Sequence, residues 1–339
     1  MRKGERLHDA QRYAVLAAVY ASENRSVNAR NVGAYRTKVV RAGEFLYISC
    51  YPLIGCGARR AQEERLDQLR GEAHRDRRLQ ARWNRYNNKR RCRDFEMLVH
   101  ANFTRGDLHV CCTYAPQDFE GDPEDVVYRD RDDAKREIRN YIARVRRLLK
   151  RRGCDLSEFR WICCTVTHES LKEAARPRPD THHHHLLFHG VPEILRTEVE
   201  ELWGHGYCNA DRLQPSHDKG VAAMAEYIAR QNGNACGERH GEKSYSCSRN
   251  IKRPVESVSD VKISRRRVAR IARDMREEGA EILEKIWKGY RADREEISVE
   301  TSDFVEGAYI YARLRRTNSG EALWRKSERC GMKNTESAG

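Results

Sequence analysis

Apolar positions recur along this chain with two different periods. Between 131 and 152, Ala134, Ile138, Tyr141, Ile142, Val145, Leu148 and Leu149 fall three or four apart, the repeat of one helix face. The opposite face is rich in Arg, and Gly153 stands where such a helix would end. Short apolar runs bounded by turn residues predict strands instead: EFLYISCYPLIG at 44–55, LHVCCTY at 108–114 behind the Gly106-Asp107 turn, FRWICCTVT at 159–167, THHHHLLFHG at 181–190 and SYSCSRN at 244–250. GHGYCNADRLQP, from Gly204, reads as a turn and a short strand. Helices are predicted at 192–203, with Pro192 in the first turn, and at 219–231, closed by Asn232-Gly233.

The flanks are less regular. Residues 1–44 read as a helix and then a loose polar stretch, and 57–100 as helix-rich and basic. The run YAVLAAVYA at 13–21 fits an N-terminal helix better than an export signal. A helix starts near Ser264, a strand covers FVEGAYIYARLRR at 304–316, and the tail reads as disordered. The order of elements predicts an α+β fold, a largely antiparallel sheet covered by helices, with helical N- and C-terminal additions. Three regions follow: 1–94, helical and basic; 95–255, carrying the candidate chemistry; and 256–339, an accessory region.

Charge adds a partner. The 339 residues hold 65 Lys and Arg against 51 Asp and Glu, a net charge of +14. The surplus recurs along the chain, which favours nucleic acid over an acidic membrane as the polyanion. Between His74 and Arg93 there are nine Arg or Lys and one acid, with Trp83 and Tyr86 interleaved. Arg82, Trp83, Arg85, Lys89 and Arg90 therefore suit phosphate contact and base stacking; a solvated helix face with Trp83 in the core is the equal alternative. None of the twelve cysteines forms a C-x-x-C pair. Cys111-Cys112 and Cys163-Cys164 read as buried thiols, whereas Cys50 and Cys56 flank a short Pro/Gly segment and could pair or bind metal. Such usage fits a reducing cytoplasm, and no run approaches the ~20 apolar residues of a membrane span. Absence of a G-x-x-x-x-G-K-[ST] loop predicts no helicase domain.

Two places suggest chemistry. His182 to His185 lie inside a strand, so either His183 and His185 or His182 and His184 share a face and could grip one divalent ion. A third ligand would come from the end of the preceding strand, at His168 or Glu169. In the helix at 219–231, Tyr227 and Arg230 share a face.

Three segments, in order, carry a family resemblance. NFTRGDLHVCCTY, HHHHLLFHG, and MAEYIARQ followed by KSYSCSRNIKRP resemble the motifs of rolling-circle replication initiators, the HUH endonuclease superfamily, of the kind found on Gram-positive plasmids, phages and integrative elements. WGHGYCNADRLQP resembles that group's linker, and the likeness covers roughly residues 85–255. It implies a ferredoxin-like or RRM-like palm with His183 and His185 as the metal pair, His168 or Glu169 completing the set, and Mg²⁺ or Mn²⁺ as the ion. It implies Tyr227 as the nucleophile that nicks single-stranded DNA, with Arg230 where the family usually has Lys; the charge is kept and the hydrogen-bond geometry changes. Ala223 and Gln231 flank Tyr227 one turn away, which implies a single-tyrosine enzyme. Arg249 and Lys252 join the basic helix as candidate DNA contacts. The implied partners are single-stranded DNA at a replication origin, a host helicase and polymerase, and a second copy of the chain. The competing readings are an inactive nucleic-acid-binding protein on the same fold and a zinc-dependent hydrolase without a covalent step.

Overall fold

Hydrogen bonding sorts the strands into two antiparallel sheets. The computed structural model describes residues 34–53, 64, 67–68, 77–114, 131–168, 181–215, 220–228, 245–302 and 305–317. The helix expected at 13–21, the loop at 175–180, the tail, Cys56, Glu169 and Arg230 lie outside them. The chain divides into two units, residues 91–253 and residues 1–90 with 254–339.

In the 91–253 unit the sheet runs β6-β3-β5-β4-β7. Its strands are β3 (Leu108–Thr113), β4 (Arg160–His168), β5 (Thr181–His189), β6 (Cys208–Arg212) and β7 (Ser246–Cys247). Alternation along the strands gives the sheet two apolar faces. One carries Leu108, Val110, Cys163, Leu186 and Phe188 beneath α2 (Arg131–Arg151) and α3 (Arg196–Glu201), the two helices following α1 (Arg77–His100). All seven apolar positions read from the α2 sequence are buried. Gly153, at a φ of 72°, ends α2 in a left-handed turn, with the Cys154 amide donating back to the Leu149 carbonyl. The other face carries Ile162, Cys164 and Leu187 beneath the end of α1 and α4 (residues 222–228). Cys112, Cys163 and Cys164 are buried as small apolar side chains, and Cys111 is half-buried.

The other unit has its own core and a six-stranded sheet. It is ordered β10-β11-β2-β1-β8, with β9 also pairing β11. These strands are β1 (Tyr35–Ala42), β2 (Phe45–Pro52), β8 (Val255–Ser259), β9 (Tyr290–Ala292), β10 (Ser298–Ser302) and β11 (Val305–Arg316), and α5 (Arg265–Arg273) and α6 (Glu278–Ile286) pack on the sheet. Residues from before 53 and after 254 thus share hydrogen bonds, although the sequence treats them as separate flanks. β1 falls where a loose polar stretch was expected. Its polar positions are held by partners distant in sequence: Arg36 is buried and donates from Nε and Nη2 to Asp260 at 2.6 and 2.9 Å, and Lys38 pairs with Glu256 at 2.9 Å. Cys50 is wholly buried in this core.

Candidate functional site

β5 sends its four histidines to opposite faces. His182 and His184 share the side of Leu186 and Phe188, facing α2 and α3; His183 and His185 share the side of Leu187, facing α4. His184 is fully buried, and both its ring nitrogens have partners: Nε2 lies 3.0 Å from Tyr114 Oη and Nδ1 3.0 Å from Thr165 Oγ1. Burial, then the neighbouring His182, His183 and His185, pushes its pKa down to about 3, so it is neutral at ordinary pH. With both nitrogens spent it is ill placed to ligate. His183 and His185 have rings 5.0 Å apart at 84°, on one pleat, and this donor pair fits a divalent ion. Among the described residues, no three His, Cys, Asp or Glu side chains form a ready metal group. His168 pairs through its backbone with Thr181 at the end of β4; its side chain, like Glu169, is outside the described residues.

α4 presents the phenol. Val221, Ala225 and Ile228 form its buried stripe, and the Val221 amide donates to His100 Nε2 at 3.2 Å, fixing the helix start against α1. Tyr227, beside the stripe, stays 52 % exposed, and its ring centre is 5.7 Å from that of His185 at 82°. Tyr227, His183 and His185, chosen separately in the sequence, are therefore neighbours. Arg230 is not among the described residues.

His109 on β3 was missed. It stands two residues out of register from His185, yet its Nε2 lies 3.2 Å from His185 Nδ1. Burial lowers its pKa, and the charge of Asp211, its partner across β6, opposes that shift. A lone strand histidine carries no sequence signal; the β3/β5 pairing creates the contact.

The candidate DNA residues occupy two places. On α1, Arg82, Arg85, Lys89 and Arg90 are exposed, and Trp83 is half-buried. Arg249 and Lys252 are exposed in the segment after β7, which side chains fasten to the sheet. Ser248 Oγ accepts from the Trp161 amide, Asn250 Nδ2 donates to the Ser157 and Phe159 carbonyls, and Asn102 clamps the Lys252 backbone with two 2.8 Å hydrogen bonds.

Fold and site together define an antiparallel α+β unit that presents paired imidazoles and an exposed phenol on one face. Residues 107–232, the stretch bearing those groups, match the family model for the replication-associated proteins of the ORF2 and gene II protein type. That match supports a role in replication. No curated protein and no solved structure matches the chain. Among the described residues, no helix is long and apolar enough to cross a membrane.

Proposed function

We propose that this chain is a metal-dependent nickase and strand transferase that initiates rolling-circle DNA replication. The observation that carries the reading is the position of the exposed Tyr227 ring, 5.7 Å from the His185 ring, on the side of β5 that also bears His183. The match of residues 107–232 to a replication-associated family supports the same reading.

His183 and His185 would hold Mg²⁺ or Mn²⁺, which when bound supplies Lewis-acid polarisation of a phosphate oxygen. Tyr227 Oη attacks the phosphorus of single-stranded DNA in line with the 3′-oxygen. An O–P bond forms to tyrosine and the P–O3′ bond breaks. The phenol gives up its proton and the 3′-oxygen gains one, leaving a 5′-phosphotyrosine link and a 3′-hydroxyl able to prime synthesis. The link conserves a phosphodiester, so the reverse step rejoins strands. Cations on α1, with Arg249 and Lys252, would hold the phosphodiester backbone by charge, and Trp83 offers a stacking surface.

A 3′-labelled library of single-stranded oligonucleotides tests this. With Mn²⁺ the label should travel with the protein through denaturing electrophoresis. The adduct should disappear in Tyr227→Phe and with chelator, and fall steeply in His185→Ala. An undiminished adduct in Tyr227→Phe would remove the nucleophile assignment. Cleavage that survives Tyr227→Phe but not His185→Ala would point to metal-assisted hydrolysis without a covalent step.

A further inference from the structure

We propose that His109 is a positioning residue for this centre, taking a hydrogen bond from His185 Nδ1 and so fixing the tautomer that leaves His185 Nε2 as the metal donor. The inference rests on the reading above, that His183 and His185 hold the ion.

The geometry separates a hydrogen bond from two other relationships. His109 Nε2 and His185 Nδ1 are 3.2 Å apart, and the ring planes are within 14° of parallel. Face-to-face stacking would bring the ring centres much closer than the observed 5.3 Å. That separation is close to the nitrogen–nitrogen distance plus the two ring radii, so the nitrogens face each other near the line of centres. The arrangement is an in-plane imidazole–imidazole hydrogen bond. It also excludes a shared ion on that line, which would lie nearer to each nitrogen than the about 2.0–2.1 Å of a zinc–imidazole bond.

One proton sits between the two rings. If His185 carries it, its Nε2 keeps a lone pair for metal; if His109 carries it, His185 Nε2 is protonated and cannot ligate. His109 accepting at Nε2 must hold its own proton on Nδ1. Asp211, opposite His109 on β6, puts negative charge beside that ring and favours a polarised N–H there. The chain Asp211, His109, His185 resembles the outer partners that orient metal-bound histidines generally, whose removal weakens metal binding about 10–100-fold. His109 is thus an orienting group two strands from the nucleophile helix, with no contact to DNA required.

The test uses the full-length chain, without DNA. Imidazole ¹⁵N NMR of the metal-free protein reads the tautomer, and Mn²⁺ titration followed by electron paramagnetic resonance reads affinity. His185 in the wild type should show the Nδ1–H pattern. His109→Phe should mix the His185 tautomers and weaken Mn²⁺ binding about 10–100-fold, and His109→Gln, which can still accept, should recover most of that loss. Wild-type His185 in the Nε2–H form would overturn the proposal, whatever the variants do. So would His109→Phe binding Mn²⁺ as the wild type does, or His109→Gln failing as completely as His185→Ala, which would make His109 a ligand. Equal Mn²⁺ binding by wild type and His185→Ala would instead sink the metal assignment, while the metal-free tautomer still decides the hydrogen bond.

Discussion

Adjacent histidines in β5 meet opposite demands, because a strand turns each successive side chain to the other face. His184 is a buried structural group with both nitrogens engaged, and its neighbours on either side face α4. His184→Ala should cost about 2–4 kcal/mol of stability, since it opens a cavity and leaves Tyr114 and Thr165 with one partner fewer; urea unfolding measures it. Mn²⁺ affinity should change far less than in His185→Ala. Tyr227 lies at the other extreme. Half exposed and outside the buried stripe of α4, it should be replaceable by Phe with a melting temperature within about 2 °C of wild type. A large drop in that variant would mean that the hydroxyl has a packing role, and would confuse any loss of adduct with unfolding. The face shared by His183 and His185 follows from strand alternation alone, whereas the choice between that pair and His182 with His184 needed the buried partners of His184. His109 could not have been chosen, because its meaning depends on a strand register that links positions 76 apart.

At the scale of elements, α2 was the most legible, because a long amphipathic helix writes its buried face into local spacing. β1 was the least. YRTKVVRA alternates charge with apolar residues, and only Asp260 and Glu256, far along the chain, explain how Arg36 and Lys38 are accommodated. The stretch at 244–250, read as one strand, pairs only at Ser246–Cys247, because side-chain hydrogen bonds from Ser248, Asn250 and Asn102 take over from the ladder. Asn102→Ala should therefore loosen the Lys252 segment, at a cost of about 1–3 kcal/mol, and speed amide exchange at Lys252 before the core strands. α1 lends itself to a charge test. Replacing Arg82, Arg85, Lys89 and Arg90 together by Ala keeps helix propensity and should weaken single-strand binding. The slope of log affinity against log salt should become shallower by about 2–3. An unchanged slope would make that face a solvated one.

For the whole molecule, the two sheets have separate cores, and the chain reaches the second sheet from both sides of the first unit. β11 lies between β10 and β2 and also pairs β9, so no strand is more central to its sheet. Deleting residues 305–316 should abolish one of two unfolding transitions in differential scanning calorimetry and make residues 254–302 protease-sensitive. Mn²⁺ binding at His183 and His185 should persist, because none of their described neighbours comes from that sheet. Loss of both transitions would show that the units unfold as one. The pairing of β2 with β11 also has a kinetic side. A ribosome releases β1 and β2 early, and their sheet partners emerge only after the whole imidazole-bearing unit has been made. Through most of synthesis that hairpin carries bare edges and a bare apolar side. Any delay in reaching the last strand lengthens the interval in which nascent chains can cross-pair, and slow translation late in the message should raise aggregation without altering a single contact of the finished protein.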